Sequence, residues 1–137
     1  MKNLLIFLRL KQLFAHNCHN FVSKETFFQD HEFFGDLYSQ AEGWYDSLIE
    51  RMIGLGLQVD PVDIQVIAVN LLRDLNYKTI ENKSCFQITL SIQQKILNEI
   101  ENLCKSKGIS QGTLQLLGGI ADLEEINNYK IKQRLKG

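Results

Sequence analysis

Proline occurs once in this chain, at Pro61. With so few helix breakers, long uninterrupted helices are open to it. Cysteine is scarce too. Cys18, Cys85 and Cys104 are odd in number, far apart in sequence and include no CxxC pair, so neither a zinc finger nor a disulfide framework is implied. They read as three reduced, partly buried thiols. No stretch approaches the roughly 18–20 consecutive apolar residues of a membrane span. The apolar start, Met1 to Leu8, has the flavour of a signal peptide, but Arg9 and Lys11 interrupt it and no small-residue cleavage site follows. These features predict a cytoplasmic chain. Charge of one sign is missing as well: 15 basic and 16 acidic residues leave a net −1, which predicts no strong general attraction to nucleic acid. Strand signals are almost absent.

What is present is helical periodicity. At 137 residues with 45% apolar content, the chain is long enough for one domain, 1–137, with a sizeable core. Apolar residues at helical spacing predict helix A over 3–22. A short break follows, with Ser23 as the expected N-cap of helix B, 26–54. Helix B carries an apolar surface too wide for a single buried face. Packing in a bundle and against a partner chain would account for it. Gly54 and Gly56 end it. Asp60-Pro61 reads as an N-cap followed by proline at the first helical position, opening a short helix over 61–75. Asn76 to Lys83 reads as irregular, helix C covers 84–106, and Ser110 caps helix D over 111–135. The expected fold class is all-α: a four-helix bundle with the short helix in a long B–C crossover, the layout that puts B and C parallel and is similar to ferritin-like four-helix bundles.

Five residues carry a candidate chemistry: His19, His31, Asp46, Glu50 and Arg51. Asp46 and Glu50 share a helix face one turn apart. Imidazole and carboxylate are ligand types that suit iron, manganese and zinc. His31 and Asp46 lie about 22 Å apart along one helix, with an angular offset of about 60°. One chain therefore cannot bring them together. A second copy, antiparallel about a two-fold axis near Ser39-Gln40, would set His31 beside the partner's carboxylates, a self-complementary arrangement of the commonest kind. The pattern predicts a metal site shared by two subunits and made twice per dimer.

The stretch from Ala15 through Cys18-His19-Asn20-Phe21 and Phe27-Phe28-Gln29-Asp30-His31-Glu32, with Leu37-Tyr38, Asp46, Glu50-Arg51 and Gly54-Leu55-Gly56, resembles Dps, the ferritin-superfamily protein that protects DNA in starved cells. The resemblance is sharp over roughly residues 13–56. The chain departs from the family pattern at Gly35, where an acid is expected, and at Asn20, where tryptophan is usual. The resemblance implies a homo-oligomer, a two-fold dimer built up to a dodecamer. It also implies oxidation of Fe(II), with hydrogen peroxide as the preferred oxidant, and storage of ferric iron. His19, His31, Asp46 and Glu50 would be the metal ligands, with Arg51 supporting the interface by pairing with carboxylates. Direct DNA binding is expected to be weak, because no long basic arm is present. The 24-subunit ferritins instead carry Glu-x-x-His motifs within one bundle, and this chain has none.

Other readings of the same residues stand beside this one. His16, one turn before His19, is a further candidate ligand or a surface histidine. Asp36 would replace the missing acid only through a local bulge. Asp46 and Glu50 can be read as surface charges, with Glu50 paired to Arg51. Trp44 reads as core or interface. Asp30, Glu32 and Asp36 form an acidic cluster suited to the positive end of helix B, and Lys130, Lys132, Arg134 and Lys136 a basic run suited to the negative end of helix D. The alternative function is a ferritin-fold structural or interaction protein with a degenerate metal site and no ferroxidase activity.

Overall fold

The computed structural model describes residues 1–75 and 81–137. Five helices follow in order: α1 (Lys2–Phe21), α2 (Phe27–Gly54), α3 (Pro61–Asp74), α4 (Asn82–Cys104) and α5 (Gln111–Lys136). No strand occurs among the described residues. The all-α class and the four long helices with a shorter one between the second and third pair agree with the sequence reading. Of the segment expected to be irregular, 76–80 lies outside the described residues, whereas Asn82 and Lys83 already belong to α4.

Local signals account for most helix ends. The carboxylate of Asp60 accepts hydrogen bonds from the backbone of Val62 and Asp63 at 3.0 and 3.1 Å, and Pro61 occupies the first turn, where its missing N–H costs nothing. Ser110 accepts from the Thr113 backbone at 3.2 Å and opens α5. Ser23 does not cap α2. Its own backbone N–H donates to Asn82 Oδ1 at 3.0 Å, and the helix starts after Thr26. The turn between contains Lys24 at φ 67°.

Contacts at the two ends determine the topology. Ser23, Thr26 and Asp30 at the start of α2 meet Asn82 at the start of α4 and Arg134 at the end of α5. At the opposite end, Lys2 pairs with Asp63 at 2.6 Å. Thus α2 and α4 begin at the same end and run parallel, so the chain must cross the length of the bundle between them. α3 covers that crossing by lying against α1.

The core comes from inward stripes of all five helices, including Leu4, Leu8, Phe14, Phe34, Leu48, Ile64, Ile96 and Leu117. Most of the wide apolar surface of α2 is used inside this one chain. Phe34, Leu37, Ala41, Tyr45, Leu48 and Met52 are buried, and Trp44 packs on α5, where a Cβ at Gly119 would stand 3.3 Å from its ring. The exposed apolar side chains of α2 lie near its ends, at Phe28 and Ile53. No described helix is long and apolar enough to cross a membrane.

Candidate functional site

His19 sits in the last turn of α1 and His31 in the second turn of α2. The short link between these helices makes them antiparallel neighbours and brings the two rings face to face, with centroids 3.6 Å apart. Their bonding is reciprocal. His19 Nδ1 lies 2.7 Å from the backbone oxygen of His31, and His31 Nδ1 lies 2.7 Å from the backbone oxygen of His19. A carbonyl oxygen can only accept, so each Nδ1 carries a hydrogen and donates it. In the neutral rings this leaves the lone pair on Nε2, the tautomer that a metal-binding histidine needs. The clasp also satisfies the His19 carbonyl, one of the last-turn groups without a helical partner.

Gly35 belongs to this geometry. A Cβ there would stand 3.1 Å from His19 Nδ1 and 3.2 Å from Cε1. By resemblance, Gly35 is a position from which a ligand is missing. In the structure its bare backbone also makes room for the His19 ring. Mid-helix glycine weakens a helix by roughly 0.5–1 kcal/mol relative to alanine, so a glycine inside a strongly periodic segment was a signal of close approach.

Aromatic rings extend the cluster. Phe27 stacks on His31 at 4.9 Å, and Tyr38 meets His19 edge-on at 5.4 Å. The His16 ring stacks on Tyr38 at 4.3 Å and lies 6.4 Å from His19.

Asp46 and Glu50 are on the same helix as His31, exposed and one turn apart. Neither makes a hydrogen bond or ion pair among the described residues. The structure therefore joins His19 with His31 and leaves the two carboxylates distant. Within one chain, no group of three or more His, Cys, Asp or Glu among the described residues is placed to hold a metal ion. Arg51 is not paired with Glu50: its guanidinium lies against Gly112, where a Cβ would be 2.8 Å from Nη1. Asp36 is exposed.

Three polar arrangements escaped sequence reasoning. Asp30 is not simply an acid at a helix start. It is buried and receives Arg134 Nε and Nη2 at 3.0 Å each, Thr26 Oγ1 at 2.7 Å and Asn82 Nδ2 at 2.9 Å. Burial would raise its pKa, but these hydrogen bonds and the Arg134 charge outweigh it and hold the carboxyl below its ordinary value. Arg134 is thereby withdrawn from the basic run, whereas Lys130, Lys132 and Lys136 remain exposed.

The second is an ion pair deep in the bundle. Lys11 Nζ and Glu124 Oε1 are 2.6 Å apart, each side chain 1% exposed. Burial pushes Lys11 down and Glu124 up, against the attraction of each for the other. Glu124 Oε2 has no hydrogen-bond partner. The third is a thiol pair. Cys18 on α1 and Cys85 on α4, distant in sequence, are both buried; burial first and the Cys85 thiol second push the Cys18 thiol up, and Cys104 is exposed. No family model matches the chain, and no curated protein matches it.

Proposed function

We propose that the chain is a Dps-like mini-ferritin that binds and oxidises Fe(II) at a site shared by two subunits, stores ferric iron and thereby limits oxidative damage to DNA. The observation that carries this reading is the reciprocal His19–His31 clasp. It holds two imidazoles on the α1–α2 seam with Nδ1 committed to carbonyls and Nε2 as the lone-pair nitrogen. On the same helix, Asp46 and Glu50 form an exposed acidic pair with no hydrogen bond or ion pair among the described residues. Each chain thus offers a nitrogen half-site and an oxygen half-site about 22 Å apart, and antiparallel pairing of α2 across a two-fold axis would complete both at once.

The donor set of imidazole and carboxylate suits iron in both oxidation states. Iron is the substrate here, supplying electrons to peroxide. His19 and His31 bind and orient it, and the carbonyl bonds keep each ring in its ligating tautomer. Asp46 and Glu50 of the other chain balance its charge. A dimer growing into a dodecameric shell would give the oxidised iron a place to collect. Direct DNA contact, if made, falls to the exposed lysines of α5.

Light scattering on the eluted protein, followed by Fe(II) oxidation on the same peak, tests this reading. A large shell whose oxidation is lost in Asp46→Ala/Glu50→Ala is expected. A monomer that oxidises iron no faster than buffer ends it.

A second reading has its own observation. The clasp already does structural work, joining α1 to α2 and satisfying a helix-end carbonyl, and Gly35 accommodates it without any metal. A ferritin-fold interaction protein with a degenerate site would show the same clasp. In that case His19→Ala would change stability and nothing else.

A further inference from the structure

We propose that the outer face of α3 is a seam for a second copy of this chain, which lies on it antiparallel about a two-fold axis between Ile67 and Ala68. The helix is apolar on two opposite sides. Ile64 and Ala68 are buried, and Ile67, Leu71 and Leu72 pack on the core beside them, where α3 lies against α1. Val62 and Val66 stand two residues to either side of Ile64, each about 160° away around the helix. They are 71% and 52% exposed. Val69 and Arg73 continue their row, and with Gln65 and Asn70 the row lines a shallow open groove. The positions 62, 66, 69 and 73 alternate steps of four and three, the pattern of a helix seam that receives another helix. The segment leading into α3 is exposed and apolar too, at Ile53, Leu55 and Leu57. Five of the nine exposed large apolar side chains among the described residues therefore fall within 53–66. Apolar surface gathered in one stretch, unlike single scattered side chains, marks an interaction surface.

Symmetry and charge select the occupant. The row reads the same from either end: Val62 and Arg73, Gln65 and Asn70, and Val66 and Val69 are each centred on the midpoint between Ile67 and Ala68. An antiparallel copy therefore places Val66 on the partner's Val69, Gln65 beside the partner's Asn70, and Arg73 over the partner's Val62. Apolar meets apolar and amide meets amide, twice over, as a self-complementary interface requires. A parallel copy in register would instead set Arg73 against the partner's Arg73, two like charges face to face. Arg73 is exposed and makes no hydrogen bond or ion pair among the described residues. In the antiparallel arrangement its stem covers a valine and its guanidinium reaches the partner's Asp63, one residue on. Asp63 uses Oδ2 for Lys2 at 2.6 Å, which leaves Oδ1 to accept from a second cation. The seam stands on side chains of α3 and needs no iron.

The test follows the size of the full, metal-free chain over a range of concentrations by sedimentation and light scattering. Wild type is expected to self-associate. Val66→Glu/Val69→Glu sets carboxylates face to face across the axis and should weaken association at least about a hundredfold. Val66→Lys/Val69→Glu puts as many charges into the seam but faces opposite signs, and should restore association. Arg73→Glu, at an exposed helix end, is a second probe that faces the partner's Asp63 and should weaken association roughly tenfold. Circular dichroism checks that each variant keeps its helices. Asp46→Ala/Glu50→Ala, which removes the proposed oxygen half-site, should associate like wild type, so failure of the seam and failure of iron binding are read separately. A wild-type monomer at every concentration overturns the proposal, including one that uses this face to hold a different protein. So does association that neither Val66→Glu/Val69→Glu nor Arg73→Glu weakens, and so does a loss that Val66→Lys/Val69→Glu fails to restore with its helices intact.

Discussion

Helix α1 makes two polar contacts eight residues apart, and they are opposite in kind. At Lys11 a charged group is sealed against Glu124, with both side chains 1% exposed and one carboxylate oxygen unpartnered. At His19 an imidazole ring is partly buried, and its hydrogen bond is returned in kind by His31. The first contact is held by mutual need: desolvation has made each charge costly, and only its partner offsets that cost. The second is held by ordinary hydrogen bonds that consume one nitrogen of each ring and leave the other open. A buried ion pair can only lock helices together. A clasp of this sort can do that and still present a ligand.

The largest expected effect comes from breaking the locked pair on one side. Lys11→Ala should destabilise the bundle by about 3–5 kcal/mol in denaturant titration, because Glu124 is left buried and unpaired. Lys11→Met together with Glu124→Leu should recover wild-type stability or exceed it. If the single and double variants are equally damaged, the pair is not what costs the stability.

Next comes the Asp30 network. Asp30→Ala should cost about 2 kcal/mol, since Arg134 loses a charge-assisted partner while staying partly in water. The sign with pH follows from the lowered pKa of Asp30. Its contribution is fully present above the unfolded value of about 4 and is lost as pH falls through the lower folded value. Wild type should therefore lose stability more steeply below pH ~4 than Asp30→Ala does. Parallel curves would place the acid sensitivity elsewhere.

The histidine clasp should yield less in stability and more in function. His19→Ala should cost about 1–2 kcal/mol through the lost hydrogen bond from its ring to the His31 carbonyl and the lost stacking on the His31 ring. Under the proposed function it should also abolish Fe(II) binding measured by calorimetry.

The smallest stability change is expected at Gly35. Alanine gains roughly 0.5–1 kcal/mol of helix propensity, and displacement of the His19 ring by a few tenths of an ångström opposes it. The net effect should stay within about 1 kcal/mol, and under the proposed function Fe(II) affinity should fall. The family pattern alone predicts that Gly35→Asp tightens iron binding. The structure predicts that any side chain there first disturbs the clasp. A tighter Gly35→Asp site would show that the added ligand outweighs the lost alignment.

Much of the fold could be read from residue order. Pro61 after Asp60, Ser110, the glycines at the end of α2 and the apolar periodicity are local signals, and local signals place helices. Interface residues were harder. The wide apolar surface of α2 invited a partner chain, but Tyr45 is 3% exposed within the monomer, so Tyr45→Asp would test folding and not assembly. Phe28 and Ile53 are the better probes. Arg51 and Trp44 were read by chemical type, yet each is positioned by a glycine of α5, Gly112 and Gly119, a complementarity that neither helix reveals alone.

The sequence by itself determined the helices, the parallel α2–α4 arrangement implied by the long crossover, and the spacing that keeps His31 from Asp46 within one chain, because rise per residue and periodicity are properties of a single helix. Only the tertiary structure decided that His19 and His31 fix each other's tautomers, that Lys11 is buried against Glu124 although it reads as a break in an apolar run, and that Arg134 at the end of α5 binds Asp30 at the start of α2. Each of these is a contact between helices. Whether a polar group meets water, a carbonyl or an opposite charge depends on which face of the neighbouring helix lies across from it, and the packing of the bundle decides that.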